Sequence, residues 1–125
     1  MIQLNPRYEA IFNPNNIDQD CDRIASLMSV EADFIKEVLD VGLYKQAVTM
    51  YLQLLKSMCE HFVEDDHYCY FDDMYSPEYT MQWIYDSMQK HDIDAESQAL
   101  LNEGHKEILQ SECYEDYGVP SYIDK

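Results

Sequence analysis

Residues 43–63 read LYKQAVTMYLQLLKSMCEHFV, and their apolar members recur at Ala47, Met50, Tyr51, Leu54, Leu55, Met58 and Phe62. This is the i, i+3, i+4, i+7 spacing that puts side chains on one face of an α-helix. A half-buried strand would alternate at every second residue, and this run does not. At 1.5 Å per residue the helix spans about 30 Å. A stripe this long and wide makes the segment the expected centre of an all-α domain.

Working toward the N-terminus, Gly42 fits a C-cap, where a left-handed residue is least strained without a Cβ. Ser29 reads as the N-cap of the helix that Gly42 closes, with Glu31 and Asp33 in its first turn and Phe34, Ile35, Val38 and Leu39 as its apolar positions. A separate, earlier helix starts near Asn16 or Asp18 and carries Ile17, Cys21, Ile24 and Met28. Residues 1–16 contain Pro6, Pro14 and the turn cluster NPNN, and predict an irregular lead-in from which Tyr8, Ile11 and Phe12 can dock on the core.

Toward the C-terminus, Ser76-Pro77-Glu78 is a helix start: a capping hydroxyl, a proline whose missing N–H is not needed there, and an acid at the positive end of the dipole. The helix that follows places Met81, Ile84, Tyr85 and Met88 inward and ends near Lys90-His91. Asp92 or Asp94 caps a fifth helix with Leu101, His105, Ile108 and Leu109 inward. Gly104 weakens that helix by roughly 1 kcal/mol relative to alanine. Residues 118–125, with Pro120, read as a tail. The expectation is one all-α domain over residues 1–125, with about five helices packed as antiparallel hairpins and no significant sheet. YCYF at 68–71 has strand propensity but is short and bounded by acids.

A net charge of −17, from 25 acids against 8 Lys and Arg, disfavours direct contact with nucleic acid or an anionic membrane. A basic protein surface, a cation or simple solubility remain as roles for the acids. No run approaches the ~20 apolar residues of a membrane span, and MIQLNPRYEAIFNPNN lacks the signature of a secretory leader, so the expected location is the cytoplasm. Cys21, Cys59, Cys69 and Cys113 are scattered with no C-x-x-C, which suits small buried hydrophobes first and two disulfides second.

Leu39 to Leu54 reads LDVGLYKQAVTMYLQL, in which Gly42 is followed by Tyr44, Ala47 and Tyr51. This resembles the turn and second helix of a tetratricopeptide-type hairpin over residues 31–62. The resemblance implies a glycine for the tight turn, Ala47 for close helix approach and Tyr51 to fill the next space. No second copy follows at the ~34-residue period of such arrays. The long helix, the acidic Tyr-rich stretch and the SPEY helix start are also similar to helical regions beside bacterial SWIM-type zinc fingers. The finger's own C-x-C and C-x-H pattern is absent, so no zinc or nucleic-acid role is carried over.

Between Ser57 and Gln89 there is no lysine or arginine, and residues 64–86 combine seven carboxylates with seven aromatic rings. Three site readings follow. Tyr68, Tyr70, Phe71, Asp72, Asp73, Tyr75, Glu78, Tyr79 and Trp83 form a candidate partner-binding patch, because Tyr and Trp anchor interfaces and an acidic rim selects a basic partner. His61, Asp65, His67 and Cys69 are the candidate metal ligands, although the acids lack the spacing and the glycine of a calcium loop. No phosphate loop, G-x-S-x-G or HExxH is present, so no catalytic residue and no cofactor is expected. The function expected is non-catalytic protein–protein interaction or self-association as a homodimer. An acidic nucleic-acid mimic of the phage-inhibitor type is the alternative, and metal binding at 61–73 is the second.

Overall fold

The computed structural model describes residues 2–12, 21–65 and 77–110, with side chains described for 2–12, 26–60 and 80–110. Five helices make up these residues: α1 (Pro6–Phe12), α2 (Cys21–Asp40), α3 (Tyr44–Asp65), α4 (Pro77–Lys90) and α5 (Ala95–Leu109). Among the described residues there is no strand, and no helix is long and apolar enough to cross a membrane.

Within the expected irregular lead-in, residues 2–5 are irregular, Pro6–Phe12 form a short helix, and residues 13–16 lie outside the described residues. Asn5 caps the helix, its side-chain oxygen accepting from Arg7 N–H at 3.0 Å, and Pro6 takes the first helical position. One turn of spacing then buries Tyr8, Ile11 and Phe12 together. The two helices expected around Ser29 are one helix, α2. Met28, Ala32, Ile35 and Leu39 keep a single unbroken phase toward the core, and Ser29 is exposed within that helix and caps nothing. A residue that can cap does not end a helix whose apolar phase continues through it.

Gly42 behaves as its sequence position implies. Its φ is +87°, its N–H donates to Leu39 C=O at 3.0 Å, and Leu43 N–H donates to Val38 C=O at 3.2 Å. This pair of bonds is the Schellman closure, and it satisfies carbonyls that the helix end would otherwise leave open. The chain reverses within residues 41–43, so α2 and α3 form an antiparallel hairpin.

α3 is central. Val48, Tyr51, Leu54, Leu55, Met58 and Cys59 are all buried, on a stripe wide enough for α1, α2, α4 and α5 to pack around it. Even Ser57 is buried, donating to Glu9 Oε1 at 2.7 Å. α4 supplies Met81, Ile84 and Met88, and α5 supplies Leu101 and Ile108. Asp94 caps α5, accepting from Ser97 Oγ at 2.6 Å and from Ser97 N–H at 3.3 Å.

The most extensive packing joins α2 to α4 and α3 to α5. Both pairs run parallel, because partners advance together along the two helices. Lys45 meets Glu96, Tyr51 meets His105, and Lys56 meets Glu107, at sequence separations of 51, 54 and 51. Lys36 meets Trp83 and Asp40 meets His91 in the same sense. The antiparallel hairpin therefore stands, while its largest contacts are with the parallel helices of the next pair. Gly104 explains itself here: an added Cβ would lie 2.9 Å from Leu52 Cγ, so its absence lets α5 touch α3.

Candidate functional site

Trp83 is the chain's single tryptophan, and 45% of it is exposed on the outer side of α4. Residues 81, 84 and 88 take the core-facing side, which leaves position 83 turned outward. Lys36 of α2 reaches across the helix seam and holds its ammonium 3.5 Å from the centre of the indole ring. Such a cation over an aromatic face contributes about 0.5–1 kcal/mol at an exposed site. Further along the seam His91 Nε2 lies 3.2 Å from Asp40 Oδ1, and the Tyr44 ring lies 6.0 Å from that of His91. Asp33, Glu37, Asp40 and Asp86 are exposed on the outer surfaces of these two helices.

Tyr85, two residues on, has the opposite fate. It is partly buried, with its ring 5.4 Å from that of His105. His105 Nε2 and the Tyr51 hydroxyl are 2.8 Å apart and share a hydrogen bond. Burial lowers the His105 pKa to about 4, so the ring is neutral near pH 7. Tyr51 is fully buried, and this polar contact ties α3 to α5 within the core.

Sequence reasoning missed a cleft of about 610 Å³ between α3 and α5, with Thr49, Leu52, Leu100, Glu103 and Gly104 among its walls. Ile2 and Gln3 line one end. The Glu107 carboxylate accepts the Ile2 N–H at 3.0 and 3.1 Å, and Lys56 donates to the Ile2 carbonyl at 3.1 Å. Partial burial pushes the Glu107 carboxyl up, but the Ile2 N–H and Lys56 outweigh it and hold the pKa below its ordinary value. No local motif announces this clip, because its two sides are 105 residues apart in the chain.

Glu31 is also buried. Arg7 Nε donates to one carboxylate oxygen at 2.7 Å, and the other has no hydrogen-bond partner among the described residues. Tyr8 is buried too, and its hydroxyl pKa is pushed up to about 12, first by burial and then by the Glu31 charge.

Of the expected partner-binding residues, Trp83 is placed as exposed. Glu78 and Tyr79 lie in the first turn of α4, where only the backbone is described. Tyr68, Tyr70, Phe71, Asp72, Asp73 and Tyr75 lie outside the described residues. Of the expected metal ligands, His61 and Asp65 fall in the last turns of α3 with backbone alone described, and His67 and Cys69 lie outside. Among the described residues no group of three or more His, Cys, Asp or Glu is placed to hold a metal ion. No family model, curated protein or solved structure matches the chain.

Proposed function

We propose that this chain is a non-catalytic protein–protein interaction module whose acidic, aromatic-bearing face engages a basic partner with an apolar centre. The observation that carries this reading is the half-exposed indole of Trp83 with a lysine ammonium seated on it. A rigid aromatic anchor within a charged frame is the composition of an interface hot spot. Lys36 shows that this ring face accepts a cation. An arginine or lysine of the partner replaces it, while the Lys36 head group swings into water on its flexible stem. Tyr68, Tyr70, Phe71 and Tyr75 precede α4 in the sequence and belong to the same reading. The carboxylates steer encounter and discriminate against acidic partners.

Because Trp83 is the only tryptophan, its fluorescence reports on this face alone. Titration with peptides that join an arginine or lysine to apolar neighbours is expected to shift or quench the emission. The same peptides, followed by calorimetry, are expected to bind Trp83→Ala at least about tenfold more weakly, with mild salt dependence. Emission unmoved by any such peptide sinks the reading. Binding to basic nucleic-acid-binding proteins that ignores Trp83 and collapses with salt identifies the acidic mimic instead. A melting temperature raised by zinc or calcium and restored by EDTA identifies a metal site at residues 61–73.

A further inference from the structure

α2 has two apolar faces. Met28, Ala32, Ile35 and Leu39 fill the core. On the other side of the helix Val30, Phe34 and, at the helix end, Val41 recur at heptad spacing, with Glu37 in the remaining seam position, while Leu27, one step earlier in the register, is partly buried against the core. Val30, Phe34 and Val41 are 58%, 44% and 71% exposed. Scattered exposed apolar residues need no account, but a row in register over about 16 Å is the seam one helix offers another. Its polar content is acidic. Exposed Glu37 lies within the seam, exposed Asp33 lies beside it, and neither has an ion-pair partner among the described residues.

We infer that this face of α2 docks a basic amphipathic helix of another protein. The partner's apolar residues cover Val30, Phe34 and Val41, and its lysines or arginines meet Glu37 and Asp33. Charge selects this occupant over a second copy of the chain. A second copy would bring the same carboxylates to the seam and add −17 to −17. Helical spacing puts Lys36, and with it Trp83, on a different arc of α2 from Val30, Phe34 and Val41; the two readings share the acids Asp33 and Glu37 and are separated by their apolar anchors.

A labelled helical peptide with a leucine heptad seam and lysine or arginine flanks tests this by fluorescence anisotropy with the full chain. Saturable binding is expected, weakened at least about tenfold by Val30→Ser with Phe34→Ser and little changed by Trp83→Ala. Both substituted side chains are exposed, so the fold is expected to persist; should the pair unfold it, Val30→Ser alone carries the comparison. A matched peptide with glutamate flanks is expected not to bind. The inference is overturned if the basic peptide does not bind, if the glutamate peptide binds equally, or if only Trp83→Ala abolishes binding. Sedimentation showing a dimer that the serine variants dissolve also overturns it, in favour of a second copy.

Discussion

Trp83 and Tyr85 show how two residues of spacing decide a side chain's role. At about 100° per residue they face different ways, and the core phase of Met81, Ile84 and Met88 sets which is which. That much was legible from spacing. Lys36 as the cation on the indole was not, because the contact depends on the register of two helices far apart in sequence. His105 was legible as inward-facing, but its tyrosine neighbours were not. Its chemistry yields a pH prediction. The folded ring has a pKa of about 4, whereas an unfolded histidine titrates near 6.5. Between those values the unfolded chain binds a proton that the folded chain refuses, so stability falls as pH falls. The contribution is complete above about pH 6.5 and is lost progressively toward pH 4, at most about 3 kcal/mol. Urea melts over this range are expected to show a shallower decline for His105→Gln than for the parent. Equal slopes would mean that the folded ring takes up the proton as readily as the unfolded one.

At the scale of elements, α3 and the starts of α4 and α5 could be read from the sequence because local signals and core phase agree there. α2 could not be read as one helix. Ser29 followed by two acids is a valid start signal, and only the packing of Met28 and Ala32 on the same side shows that the helix runs through it. A helix junction at Gly42 and a helix contact at Gly104 distinguish two uses of glycine. At Gly42 an added Cβ meets nothing within 4 Å, so Gly42→Ala costs only the left-handed backbone strain, about 1 kcal/mol. At Gly104 the added Cβ gains helix propensity, about 1 kcal/mol, but displaces buried Leu52, and overpacking costs about 1–3 kcal/mol. Gly104→Ala is therefore expected to lower stability by about 1 kcal/mol in chemical denaturation, despite raising the helicity of the isolated α5 peptide. A stabilised protein would show that Leu52 swings aside freely and that Gly104 is not needed for close approach.

At the scale of the molecule, four of the eight Lys and Arg tie one described element to another. Arg7 joins α1 to α2, Lys36 joins α2 to α4, and Lys45 and Lys56 join α3 to α5. With 25 acids and 8 Lys and Arg, carboxylates outnumber cations about threefold and repel one another through water. Salt acts on both terms in opposite directions. It weakens the ties, of which those at Arg7, Lys45 and Trp83 are exposed on at least one side and already screened by solvent. It also shortens the reach of the repulsion, from a screening length of about 30 Å at ~0.01 M to about 8 Å at ~0.15 M. The repulsive pairs far outnumber the ties and act over the longer distances that salt cuts first. Stability is therefore expected to rise as sodium chloride increases over that range, read as a higher urea midpoint at unchanged slope. A midpoint that falls would mean that the few cross-element ties outweigh the net charge. Both proposed docking faces would then have to be tested at low salt, where the fold itself is held most firmly.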